Sequence, residues 1–151
     1  MQVRDIMTYQ VICCDPGSDL EQVAALMQER DCGCIPVADD QGHALGMITD
    51  RDIAMAAAAR HKALWELHAQ DLLGRGLYAC HPDDEIHQAL DIMTAWQVHR
   101  LPVLDEAGEV KGLLSLDDVV ACAERHVRGQ GRPELSYDDA MQALKAVCRH
   151  H

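Results

Sequence analysis

Long apolar runs, excess basic charge, paired cysteines and catalytic motifs are all missing from this sequence, and each absence removes a class of function. The longest apolar stretch, Ile53 to Ala59, stops far short of the roughly 20 residues that a membrane-spanning helix needs. No apolar run follows Met1-Gln2-Val3-Arg4-Asp5, so no secretory signal is read and a soluble, cytoplasmic protein is expected, with no membrane partner. Lys and Arg number 13 against 25 Asp and Glu, a net charge of −12. That balance excludes a general nucleic-acid role, because phosphate backbones are held mainly by Lys and Arg. A small anion is still allowed, since a few placed cations and helix N-termini suffice to hold one.

The seven cysteines include no C-x-x-C pair: Cys13 and Cys14 are adjacent, Cys32 and Cys34 are two apart, and Cys80, Cys122 and Cys148 stand alone. An odd count without an export signal reads as reduced, partly buried thiols. A metal- or thiol-responsive switch using Cys13, Cys14, Cys32 and Cys34 stays open as the alternative, although no second pair at zinc-finger spacing follows. Nor is there a Gly-x-Ser-x-Gly elbow, a P-loop lysine or a His-Glu-x-x-His pair, and the nine histidines are scattered, with His150-His151 reading as a tail. No enzyme, no catalytic residue and no metal ligand are expected.

What remains is an ordinary globular composition, 48% apolar and 25% charged over 151 residues, enough to bury a real core. The chain also repeats itself without a gap. A shift of 66 carries Asp5-Ile6-Met7 onto Asp71-Leu72-Leu73, Pro16 onto Pro82, Ile35-Pro36-Val37 onto Leu101-Pro102-Val103, and Gly46 and Asp52 onto Gly112 and Asp118. The burial pattern repeats as well. Leu20, Val23, Ala24 and Met27 mark one face of a helix, and Ile86, Ala89, Leu90 and Met93 mark its counterpart.

Each helix follows a short strand-like run (Val11–Cys14, Leu77–Cys80) and a proline, and acidic residues open it at its positive end. Two hairpin strands come next, Cys34 to Ala38 with Leu45 to Thr49, and Arg100 to Leu104 with Val110 to Ser115. A second helix starts near Asp50 and Leu116. The expected fold class is therefore α/β: two βαββα units related by a pseudo-two-fold axis, plus a C-terminal helical tail. The expected divisions are repeat 1 over 3–60, a helical linker over 61–68 that continues the preceding helix, repeat 2 over 69–127, and 128–151 as a flexible break at Arg128-Gly129-Gln130-Gly131-Arg132-Pro133 followed by a helix from Ser136 to Arg149. Ser136 with Asp139 suggests a cap, and Ala140, Leu144 and Val147 form an apolar stripe. That stripe either docks on its own module or a dimer mate, or serves as an arm for another protein.

The chemistry concentrates where the third strand of each unit meets the last helix. Gly46-Met47-Ile48-Thr49-Asp50-Arg51-Asp52 and Gly112-Leu113-Leu114-Ser115-Leu116-Asp117-Asp118 both read Gly-x-x-Thr/Ser-x-x-Asp. Such a pattern is a helix capping box. It also sets a hydroxyl and a carboxylate beside backbone N–H groups, after a glycine that permits close approach. A carboxylate there can accept the hydroxyls of a ribose while the hydroxyl and N–H groups face phosphate. Both roles stay open.

These signals together, with Asp5-Ile6-Met7-Thr8, the prolines and the two apolar-Pro-Val strands, resemble the tandem cystathionine-β-synthase (CBS) domain pair, or Bateman module, over residues 3 to about 125. The second repeat, from Val98-His99-Arg100-Leu101-Pro102-Val103 to Asp118, is similar to the last repeat of the γ subunits of AMP-activated protein kinase. The resemblance implies a regulatory module with an adenine nucleotide in the clefts between the repeats: AMP, ADP or ATP, less often NAD or S-adenosylmethionine. It also implies a homodimer whose output goes to an effector protein of unknown identity.

Carried over by position, Ser115 and Asp118 bind ribose and orient phosphate, as Thr49 and Asp52 do in the first repeat. His99 and Arg100 contact phosphate, the alternative for His99 being an exposed loop histidine. Val11, Ile12 and Cys13, or Leu77, Tyr78 and Ala79, sandwich the adenine. The first repeat departs from the pattern, with Gly33 and Cys34 in place of the basic pair. There Arg51 either replaces the lost charge or is simply solvated. Asp117 sets an acid near the phosphate of the second site, disfavouring ATP relative to AMP. A dimerisation scaffold with vestigial pockets is the third reading of the same fold.

Overall fold

The computed structural model describes residues 1–74, 76–127 and 131–148. Arg128, Gly129 and Gln130 of the expected break, Arg149 at the expected helix end, and the His150-His151 tail lie outside the described residues, as does Arg75. Among the described residues five strands and five α-helices form: β1 (Thr8–Tyr9), α1 (Leu20–Arg30), β2 (Cys34–Ala38), β3 (Ala44–Thr49), α2 (Asp50–Arg60), α3 (Ile86–Trp96), β4 (Arg100–Leu104), β5 (Val110–Ser115), α4 (Leu116–Cys122) and α5 (Tyr137–Val147). β2 and β3 make an antiparallel hairpin with Cys34 opposite Thr49, and β1, β5 and β4 make a three-stranded sheet in that order.

Local chemistry explains the helix ends. The Asp19 carboxylate accepts the Gln22 N–H at 2.9 Å to open α1, and the Gln88 side chain accepts the Glu85 N–H at 3.1 Å to open α3. Both helices close on a left-handed residue, Asp31 (φ 49°) and Gln97 (φ 53°), which lets the next N–H, of Cys32 or Val98, reach back to the carbonyl of Met27 or Met93. The two stops are 66 residues apart, so the repeat extends to the caps.

Two compact units result: Met1–Gln10 with Tyr78–Glu106 and Lys111–His151, and Val11–Leu77 with Ala107–Val110. The first is centred on Val3, Ile86, Met93, Leu101, Val103, Leu114 and Val119, the second on Leu20, Val23, Ile35, Val37, Ile48 and Leu67. Each unit takes the opening segment of the other repeat. Val3 N–H donates to the Asp84 carbonyl and Arg4 N–H to that of Pro82; at the symmetry-equivalent positions Ala69 N–H donates to Ser18 and Gln70 N–H to Pro16.

Two expectations are corrected. Val11–Cys14 and Leu77–Cys80 are not strands; only Cys14 and Cys80 pair, each through one parallel bridge, to Val37 and Val103. The cause is Pro36 and Pro102. Continuing either ladder upstream needs the N–H of residue 36 or 102 to reach the carbonyl of Ile12 or Tyr78, and proline has no N–H to give. Residues 61–68 do not continue α2 as a helical linker. His61 turns left-handed (φ 53°) and ends the helix, and the chain then makes a single 3-10 turn at Leu64–Glu66 before Leu67 becomes extended and buried. The last helix begins at Tyr137 with Ser136 as its cap, as the pattern suggests, and runs to Val147. Its stripe docks on its own unit: Ala140, Ala143 and Val147 are buried in the first core with Leu144 packed against it.

This exchange requires the glycine at 112 and crowds the one at 46. A Cβ on Gly112 would lie 2.8 Å from the Thr8 carbonyl oxygen, and one on Gly46 would lie 2.5 Å from Cδ2 of Leu73. What approaches these backbones closely is thus the exchanged segment of the chain itself. Gly112→Ala is expected to cost about 1–3 kcal/mol, because it drives a methyl against backbone. Gly46→Ala should cost less, since a leucine methyl can swing away. Urea unfolding of the two variants measures the order, and a reversed order would refute this packing account.

Candidate functional site

The first corner joins β3 to α2. The Asp52 N–H donates to Thr49 Oγ1 at 3.1 Å, and the Thr49 N–H donates to Asp52 Oδ2 at 3.0 Å. The Asp50 N–H donates to the Gly33 carbonyl at 3.0 Å and the Arg51 N–H to Asp50 Oδ1 at 2.8 Å. The second corner, from β5 to α4, repeats the box more tightly. The Ser115 N–H and hydroxyl both donate to Asp118 Oδ2, at 2.8 and 2.6 Å, and the Asp118 N–H returns to Ser115 Oγ at 3.1 Å. The Leu116 N–H donates to the His99 carbonyl at 3.0 Å, the counterpart of the bond from Asp50 to Gly33.

So the capping role is present in full, and it uses up most donors that were expected to face phosphate. All four N–H groups from Thr49 to Asp52 are bonded within the protein, as are those of Ser115, Leu116 and Asp118. The first corner therefore has no N–H left for a ligand, and at the second only the Asp117 N–H, on an exposed residue, takes no acceptor among the described residues. Each box leaves one oxygen unused, however. Asp52 and Asp118 are half-buried and cap through Oδ2 alone, so among the described residues Oδ1 of each carboxylate takes no hydrogen bond. A carboxylate oxygen of this kind can accept from a sugar hydroxyl.

The cations flank the corners unequally. Arg51 is exposed and makes no ion pair among the described residues. Arg100 is half-buried at the start of β4, its Nη2 3.9 Å from Asp117 Oδ2. With Asp117 91% exposed, that pair is weak and leaves the guanidinium available to an anion. His99 is half-buried in the turn before β4 and holds the helix start through its carbonyl.

Val11, Ile12 and Cys13, and likewise Leu77, Tyr78 and Ala79, are half-buried and make no backbone hydrogen bonds among the described residues. This is the direct result of the proline cut in each ladder. Sequence reading passed over Trp96, the last residue of α3. Its ring stacks on Tyr78 with centroids 4.2 Å apart and planes at 18°. A large aromatic at a helix end with Arg30 at the matching place of repeat 1 was the available signal. Two shallow recesses, of about 140 and 190 Å³, lie away from the corners, at His126, Arg132, Ser136 and Asp138, and at His87, Asp91, Thr94, Asp139 and Gln142.

Among the described residues no group of three His, Cys, Asp or Glu side chains is placed to hold a metal. Burial pushes the Cys13 thiol up, and desolvation raises Cys14 to about 11 and Cys80 to about 12, so these sulfurs stay protonated and poorly nucleophilic near neutrality. At about pH 8 a disulfide reagent such as Ellman's should label exposed Cys32 and Cys148 quickly and reach Cys14 and Cys80 only after denaturation. Fast labelling of Cys14 in the native protein would reopen the thiol-switch reading.

A repeated unit with a capped, carboxylate-bearing corner in each copy defines a two-repeat α/β module. The CBS domain model matches residues 3–59 and 69–124, and the chain belongs to the CBS domain family as a tandem pair. It is 31% identical over 145 residues to hypoxic response protein 1 of Mycobacterium tuberculosis, covering 96% of this chain and 92% of that protein. The solved structure of hypoxic response protein I with two coordinated zinc ions matches at a TM-score of 0.75 and 29% identity over 82% of this chain and all of that one. The CBS pair of protein MJ0100, in complex with 5′-methylthioadenosine and S-adenosyl-L-methionine, shares the fold at a TM-score of 0.73 and 22% identity over 80% of this chain and 94% of that one. CBSX2 in complex with AMP does so at 0.68 and 22%, over 80% and 93%. No helix among the described residues is long and apolar enough to cross a membrane.

Proposed function

We propose that the chain is a non-catalytic sensor of an adenine nucleotide, AMP before ADP or ATP, and that as a homodimer it passes the bound state to a partner protein. The observation that carries this reading is the Oδ1 of Asp52 and of Asp118, which takes no hydrogen bond among the described residues, at twin corners that also carry Arg51 and, 3.9 Å from Asp117, Arg100. The carboxylate takes ribose hydroxyls and the guanidinium takes phosphate, bidentately and at any cellular pH. The unpaired lead-in segments Val11–Cys13 and Leu77–Ala79 offer apolar side chains and free main-chain groups to the base. The adenosine-containing ligands of MJ0100 and CBSX2 support the same class of ligand.

Binding would stabilise the ligand-competent packing by mass action, about 2.7 kcal/mol at a hundredfold excess over the dissociation constant. For a chain of this size that raises the melting temperature by roughly 5–10 °C. Asp118→Asn keeps an acceptor for the cap and removes the charge. It is expected to weaken AMP about tenfold by titration calorimetry, the usual scale for a charge-assisted hydrogen bond. Wild-type protein that neither melts later nor releases heat at millimolar AMP, ADP or ATP would leave only a dimerisation scaffold.

Selectivity follows from Asp117. An extra phosphate beyond the one at Arg100 meets the Asp117 carboxylate, so AMP should bind more tightly than ATP, and Asp117→Asn should narrow the gap by about two- to fivefold, as befits an exposed charge. Parallel titrations with both nucleotides measure this, and an unchanged ratio would remove Asp117 from the account.

A further inference from the structure

Resting on the nucleotide reading above, we propose that Trp96 is the base-stacking and specificity residue of the second repeat, which makes that corner the higher-affinity site for a ligand combining a flat aromatic ring with a phosphate. The rings of Tyr78 and Trp96 lie 4.2 Å apart at 18°. No base fits between rings at that spacing, so the pair is one platform. Trp96 is 55% exposed, so the indole keeps much of its surface in water while stacked on Tyr78. A large apolar face held in water by a neighbouring ring is a surface on which a base gains by stacking.

The platform shares one compact unit with the polar groups that the rest of such a ligand needs. Tyr78 packs against the core that holds Leu101 and Val103, two residues before Cys80 bridges Val103. Trp96 ends α3 three residues before His99, whose carbonyl receives the Leu116 N–H beside the Ser115–Asp118 box. Base, phosphate and sugar recognition are thereby gathered within one compact unit. The first repeat has no equivalent platform. Its matching residues are Ile12 and Arg30, and the Arg30 side chain, 56% exposed, lies 3.8 Å from Glu29. The two corners share a sugar acceptor and differ in how they hold a ring.

Two ligands and three variants test the assignment. Trp65→Phe leaves Trp96 as the sole indole, Trp65 being 64% exposed and outside both cores. In that background AMP should quench the remaining fluorescence saturably, whereas ribose 5-phosphate should leave it unchanged. By calorimetry, Trp96→Ala should weaken AMP about tenfold or more and ribose 5-phosphate by less than about twofold, while Trp96→Phe stays within about threefold of wild type for both. AMP affinity unchanged in Trp96→Ala, or lost in equal measure with ribose 5-phosphate, overturns the stacking role and leaves the nucleotide reading standing. Wild-type protein that binds ribose 5-phosphate but no nucleotide overturns it as well, and wild-type protein that binds neither overturns the sensor reading along with it. Should Trp96→Ala melt below assay temperature, the fluorescence of the Trp65→Phe protein and the Trp96→Phe titration decide by themselves.

Discussion

Neither core closes on the residues of one repeat. Val3 and Met7 are buried with the second repeat's helices and strands, and Ala69 and Leu73 pack with the first's, each held by the same pair of main-chain bonds to a Pro-x-Ser/Asp turn. Everything else in the architecture is conditioned by that exchange. Glycine is required at 112 and favoured at 46 because the visiting segment lies against the third strand, and β1 joins the sheet of β5 rather than that of β3. The bare positions in the strands are thus explained by the chain's own packing and need no ligand to account for them.

The corners show how one set of atoms meets two demands. A helix start exposes N–H groups that must be bonded, and the Thr/Ser-x-x-Asp box satisfies them locally through one carboxylate oxygen. The second oxygen stays unbonded on a side chain whose rotamer is already fixed, so little further ordering is needed to present it. Proline in β2 and β4 acts in a similar way on the main chain. By denying one donor it keeps Val11–Cys13 and Leu77–Ala79 out of the sheet without unfolding them, since Cys14 and Cys80 anchor the downstream ends.

Helices α1 and α3, the hairpin strands and the capping boxes were legible in the sequence because period, turn and cap residues all act within a few positions of one another. The Leu20, Val23 and Met27 stripe and the Ile86, Ala89, Leu90 and Met93 stripe are buried as their spacing implies. What was not legible is long-range. Residue pattern does not say which copy of a repeat receives Val3 or Ala69, since both acceptor turns have the same chemistry. The strand-like composition of Val11–Cys14 hid the missing donor at position 36, some 20 residues away. At the site, the twin Asp residues, Arg51 and Arg100 stand out from sequence, whereas the stack of Trp96 on Tyr78 depends on where α3 ends relative to an extended segment and was visible only in three dimensions.

The exchanged openings have a consequence for heredity as much as for mechanics. A solitary copy of the repeat would carry a strip of chain meant for someone else's core and lack the strip its own core requires. Such a copy could mature only by trading with a sibling, so fusing two into one polypeptide turns a concentration-dependent encounter into an internal one. Once fused, the copies are free to drift apart in what they recognise, one acquiring a tryptophan where the other has arginine, while remaining bound to each other for survival.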